Sequence, residues 1–121
     1  MKTSAGRGQK AKATRLHSLV IRARGMCENC GSRCNLQAAH VLSRRYAATR
    51  TDERNAFCLC ARCHMRFTEH ADEWMGFVDW TIGRAEYSRL KAKALAGVRT
   101  SESFWRDEIG RLSELLKQVV T

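Results

Sequence analysis

The chain has 121 residues, with 22 Lys+Arg against 12 Asp+Glu, a formal net charge of +10, six cysteines and no proline. That length suits one small domain whose thin core a metal would staple, and so basic a chain is expected to face a polyanion, nucleic acid before an anionic membrane. The absence of proline excludes Pro-rich linkers and collagen-like segments, the short apolar runs exclude a bilayer span, and the polar N-terminus does not read as a secretory signal, so a cytoplasmic location is expected.

Residues 1–13 (MKTSAGRGQKAKA) lack apolar anchors and read as a flexible basic arm. From Thr14, the apolar positions Leu16, Leu19, Val20 and Ala23 recur at helical spacing up to Gly25. Cys27–Gly31 (CENCG) reads as a tight knuckle, Leu36–Leu42 as a short strand and Ala56–Cys60 as a second. Between the strands, Ser43–Asn55 is Arg-rich without periodicity and is expected to be a loop. Residues 61–70 begin a helix, and Ala71–Ile82, Arg84–Ala96 and Glu102–Val120 all look helical, with Gly83 and Gly97 as stops. The last helix carries an apolar stripe from Phe104 to Val119, which serves equally as core or as a homodimer interface. Trp74, Trp80 and Trp105 are expected to build the core of this helical half.

The positive charge is concentrated in the first half. Residues 1–27 carry seven cations and no acid, whereas residues 67–121 carry eight cations against nine acids. The polyanion-facing surface is therefore expected on the N-terminal half, including Arg44, Arg45, Arg50 and Arg54 in the inter-strand loop.

In a reducing compartment, cysteines read as metal ligands or free thiols before disulfides. Cys27-x-x-Cys30 and Cys60-x-x-Cys63 can place four thiolates on one tetrahedral Zn²⁺. Cys34 and Cys58 are left over, and Cys58 reads as a small core residue. Cys60–His64 also matches the CxxCH haem-attachment pattern, but the missing export signal and the second CxxC weigh against it.

His40 ends the first strand, Asn55 opens the second, and His64 lies on the first turn of the following helix. With CENCG, LQAAHV and LCARCH around them, these residues resemble the HNH nucleases of the ββα-metal class in their zinc-bound form. The run from Leu36 to His70, with Trp74, Trp80, Gly83, Tyr87 and Leu90, is similar to the phage recombination endonucleases of the NinG (Rap) kind. The resemblance implies an α+β fold, a small zinc-stabilised, treble-clef-like ββα-metal motif within a mostly helical domain. The arm would span residues 1–13, the nuclease domain 14–100, and a C-terminal helix 101–121 packed on that domain or on a partner.

It implies a metal-dependent endonuclease that hydrolyses DNA phosphodiester bonds, on branched recombination intermediates, in a bacterial host cytoplasm. A neutral imidazole can take the proton of the attacking water at physiological pH, and His40 fits that role. In the family pattern, Asn55 orients His40 through a hydrogen bond and His64 holds a catalytic Mg²⁺ or Mn²⁺. His64 is also open to a reading as a zinc ligand. Two positions depart from the pattern: Ala39 and Thr68 stand where further metal ligands often fall, leaving Gln37, Glu69, His70 or Asp72 to complete the shell. A zinc-stabilised DNA-binding module without catalysis, serving phage recombination or packaging, is the alternative expectation.

Overall fold

Two short strands pair as an antiparallel hairpin at the centre of the computed structural model, which describes residues 5–120. Helix α1 (Ala5–Arg22) precedes β1 (Leu36–His40). A one-turn helix α2 (Ala47–Arg50) and a 3-10 turn (Glu53–Asn55) lead into β2 (Ala56–Cys60). Helices α3 (Ala61–Glu69), α4 (Ala71–Thr81), α5 (Gly83–Ala96) and α6 (Glu102–Val120) complete the chain. The architecture is therefore mostly helical α+β with one two-stranded sheet.

The register pairs Leu36 with Cys60 and His40 with Ala56. Every residue of β2 is buried, which explains why AFCLC shows no polar alternation. Side chains along a strand point alternately to opposite faces. Phe57 and Leu59 accordingly join a core with Val78, Phe67, Trp74 and Phe77, whereas Ala56 and Cys58 pack with Ile21 of α1. Burying Phe57 and Leu59 contributes about 1.5–3 kcal/mol each. The hairpin is thus held between α1 on one face and α3–α4 on the other, and α6 lies along α1 with Trp105 and Leu112 buried.

The outer edge of β2 is covered by the side chains of Arg24 and Glu28 and the Glu28 backbone N–H rather than by a third strand. The Cys58 N–H donates to Glu28 Oε2 at 2.7 Å, and the Cys58 carbonyl accepts from the Glu28 N–H at 2.8 Å. Arg24 Nη1 donates to the Ala56 carbonyl at 3.0 Å and pairs with Glu28 at 2.8 Å.

Several expectations are corrected. Within the basic arm, residues 5–13 are helical and continue α1, and Ala13 is fully buried; residues 1–4 lie outside the described residues. Ala, Lys, Gln and Arg have high helix propensity, so a helix nucleated on the packed stretch propagates through them without apolar anchors.

The expected loop 43–55 contains α2 and the 3-10 turn. Polar side chains rather than apolar periodicity hold it: buried Asp52 accepts from the Arg54 backbone N–H at 2.9 Å and pairs with Lys93 Nζ at 2.7 Å.

Trp80 is 85% exposed, not core. It follows Val78 by two residues, about 200° around the helix from the buried face. Trp74 is half-buried among Phe57, Phe67 and Phe77. Gly83 joins α4 to α5 at φ +80°, a conformation that glycine adopts without a Cβ penalty, and so begins the second helix as it ends the first. The other expected distal helices coincide with α4, α5 and α6 to within a residue.

Candidate functional site

The Cys27–Gly31 knuckle closes through its own backbone. The Gly31 N–H donates to the Cys27 carbonyl at 2.9 Å, the Cys27 N–H to the Ser32 carbonyl at 2.7 Å, and Gly31 takes φ +83°. Cys60 caps the N-terminus of α3, its sulfur accepting from the Cys63 N–H at 3.5 Å. The two pairs meet where the strand-to-helix junction faces the knuckle. The sulfurs of Cys27, Cys30, Cys60 and Cys63 lie within 4.8 Å of one another, with Cys30 and Cys60 3.7 Å apart. A tetrahedral ion with bonds of about 2.3 Å spaces its sulfurs about 3.8 Å apart, so the four cysteines could hold a metal ion such as zinc.

The electrostatics fit the same purpose. Burial works against the Cys27 thiolate, but the backbone N–H groups of Cys30, Cys60 and Asn29 outweigh it and bring the thiol down to about 6. Burial and the neighbouring sulfurs push Cys63 up to about 12, against a 3.3 Å hydrogen bond from Asn29 Nδ2. Four thiolates this close together would need a cation to share. Cys58 stands apart, fully buried against Ile21, and Cys34 is exposed. Among the described residues, no other group of three or more His, Cys, Asp or Glu side chains converges in this way.

A second feature adjoins the cluster. His40 closes β1, and its Nε2 lies 3.0 Å from the Arg50 carbonyl. A carbonyl only accepts, so Nε2 carries the proton and Nδ1 the lone pair. Burial, with the nearby cations, pushes the imidazole down to about 4, so it is neutral at physiological pH. His64 belongs to α3, and its Nδ1 lies 2.6 Å from Oε1 of Gln37 on β1, which leaves its Nε2 lone pair free. Both histidines line two adjoining clefts. One, of about 280 Å³, runs toward Phe67 and Trp74; the other, of about 440 Å³, runs toward Thr14, Ser18 and Arg44.

Asn55 does not bond to His40 as the family pattern implies. Wholly buried, its Oδ1 accepts from the Leu42 N–H at 2.8 Å, and its Nδ2 donates to the carbonyls of Thr49 at 3.0 Å and Leu42 at 3.3 Å. It fastens the loop whose next carbonyl, that of Arg50, receives the His40 proton.

The four arginines also divide. Arg50 is tied to the Thr14 hydroxyl at 2.9 Å and the Arg44 carbonyl at 3.0 Å. Arg54 forks onto Asp52 at 3.1–3.2 Å and approaches Glu86. Arg45 stacks on Tyr46. Arg44, exposed at the cleft, has no hydrogen-bonded or ionic partner for its guanidinium among the described residues.

On spacing alone, His17 has no partner in the motif. It is fully buried on α1, its Nε2 donates to the Asp52 carbonyl at 3.1 Å, and its ring centroid lies 5.0 Å from that of His40. The available signal is its place among Ala13, Val20 and Ile21, an apolar stripe where an imidazole calls for a reason. Among the described residues, no helix is long and apolar enough to cross a membrane. Compared with family models, with curated proteins and with solved structures, the chain finds no match in any of the three.

Proposed function

We propose that this chain is a metal-dependent endonuclease of the HNH type, acting on DNA phosphodiester bonds. The observation that carries the reading is the pair of histidines in one cleft, each with the ring nitrogen its task requires left bare. His40, neutral and held as the Nε2–H tautomer, presents Nδ1 to take a proton from the attacking water. His64, oriented by Gln37, would hold Mg²⁺ or Mn²⁺ through Nε2, in the manner of second-shell carboxamides behind metal-bound imidazoles. The bound ion would stabilise negative charge on the phosphate and the leaving 3′ oxygen. Arg44 reaches a neighbouring phosphate from the cleft wall. Zn²⁺ on Cys27, Cys30, Cys60 and Cys63 fixes the junction between β2 and α3, and with it the place of His64. Phage-encoded recombination in a bacterial cytoplasm, with branched DNA as substrate, is the setting that the motif resemblance favours.

The test is cleavage of plasmid and four-way DNA by purified protein with added Mg²⁺ or Mn²⁺. Nicking should need the ion and fall at least ~10²-fold in His40→Ala, with DNA affinity within a few-fold of wild type. Cleavage at the wild-type rate by that variant overturns the assignment. The second reading, a zinc-stabilised DNA-binding module without catalysis, is favoured by Ala39 and Thr68. With them, no second cluster of three metal-ligating side chains forms among the described residues. Tight DNA binding with no cleavage under any divalent ion would establish it.

A further inference from the structure

The geometry points to His17 as a positioning residue that holds His40 in its working tautomer. This rests on the proposed role of His40 as the base. His17 borders the cleft that His40, Arg44 and His64 share, but its Nε2–H is taken up by the Asp52 carbonyl, and it acts through its neighbour. Its ring lies beside that of His40, centroids 5.0 Å apart and planes inclined by 36°. The two imidazoles donate to carbonyls two residues apart on the same turn, His40 to Arg50 at 3.0 Å and His17 to Asp52 at 3.1 Å.

Each bond contributes something different. The ring of His17 is a wall that limits rotation of His40 about its own side chain. The Nε2–H of His17 tethers the segment that carries the Arg50 carbonyl, and that carbonyl decides which nitrogen of His40 keeps the proton.

An aliphatic residue would fill this position on the buried face of α1 at no polar cost. His17 instead sits fully buried with its Nδ1 lacking any partner, a cost that packing alone does not justify. Burial also keeps His17 neutral, which spares His40 a charged neighbour. Wall and tether together need a planar ring with one N–H, and neutral histidine supplies both.

Two variants separate these contributions. His17→Phe keeps the wall and loses the tether, whereas His17→Gln keeps an N–H donor where Nε2 stood. The protein is the full-length, zinc-loaded chain, and the first readout is long-range ¹H–¹⁵N correlation of the histidine rings. In the wild type, His17 and His40 should both give the pattern of a single Nε2–H tautomer. In His17→Phe, the His40 nitrogens should shift toward a mixture of tautomers, and His17→Gln should restore the single form.

The second readout is metal-dependent cleavage. His17→Phe should lower kcat by about tenfold or more, the lower end for groups that orient a functional imidazole, with KM within twofold and partial rescue in His17→Gln. A wild-type His40 that is already mixed or Nδ1–H overturns the inference without any variant. So does an unchanged His40 pattern in His17→Phe. If no variant, wild type included, cleaves DNA while the ring pattern responds as stated, the nuclease reading fails and the positioning relationship stands.

Discussion

Asn55 and Leu42, thirteen residues apart in sequence, are joined by both atoms of one carboxamide: Oδ1 accepts from the Leu42 N–H at 2.8 Å and Nδ2 donates to its carbonyl at 3.3 Å. With the bond to the Thr49 carbonyl, this buried side chain closes the segment between the strands as a disulfide closes a loop elsewhere. Asn55→Ala would strand the Leu42 N–H and carbonyl, leaving the Thr49 carbonyl only the Asp52 N–H and the helix cap, and it should cost about 2–4 kcal/mol, read as a lowered midpoint in thermal unfolding. Any cleavage should fall with it, because the Arg50 carbonyl that orients His40 belongs to the same segment. A variant as stable as wild type would show that the loop is held by something else.

Zinc removal should be a folding event. The purified protein should carry about one equivalent of zinc, and a strong chelator should lower its melting temperature and loosen the region around Cys27 and α3. Cys63, pushed up to about 12 before metal binds, must give up its proton to become a ligand. Metal uptake should therefore release protons at neutral pH and weaken as pH falls, and calorimetry in buffers of different ionisation enthalpy measures the number. Metal-free protein with unchanged melting would contradict the cluster's role.

For His40, burial sets the direction of pH dependence. The unfolded chain takes up its proton near the ordinary imidazole value of about 6.5, whereas the folded chain waits until about 4. The unfolded state thus binds more protons between those limits, so stability should decline as pH falls through that window and level off below it. His17 is lowered by burial too and adds to the decline with the same sign. Titrating the ring protons by NMR alongside denaturant unfolding checks both halves, and a His40 midpoint at or above 6.5 would refute the first.

Arg44 and Arg54 should behave oppositely despite their similar places in sequence. Arg44→Ala removes an unpartnered guanidinium at the cleft, so DNA binding should weaken and its salt slope should shrink by about 0.9, with melting unchanged. Arg54→Ala breaks the fork onto buried Asp52, which keeps Lys93 and the backbone N–H, and should instead lower stability, by up to about 1 kcal/mol, with a smaller change in salt slope. Filter binding across a salt series, set beside thermal melts, distinguishes the two.

Much of the scaffold is legible from residue type and spacing. The two CxxC pairs mark the sulfur cluster because short-range geometry leaves each pair few arrangements, and AFCLC reads as a strand because both of its faces are buried. The distal helices announce themselves by period. What spacing misses is structure held by individual polar bonds. The turns at 47–55 depend on Asp52 and Asn55 finding backbone groups and cations, Lys93 among them, that lie far away in sequence. Likewise, His17 meets His40 only once α1 lies across the hairpin, and Trp80 shows that an aromatic in a helical run is no guide to which way it faces.

Arg24 and Glu28 have a consequence for colloidal behaviour. A two-stranded ribbon offers two open edges, each a template on which another chain could lay down a strand. On β2, the Ala56 carbonyl and both backbone groups of Cys58 are already taken by this charged pair. The protein thus supplies a decoy strand made of two side chains and the backbone N–H of Glu28. Glu28→Ala should leave the fold recognisable yet convert that edge into a seed for sheet growth between molecules, so that concentrated samples lose clarity with time and gain the spectral signature of intermolecular strands.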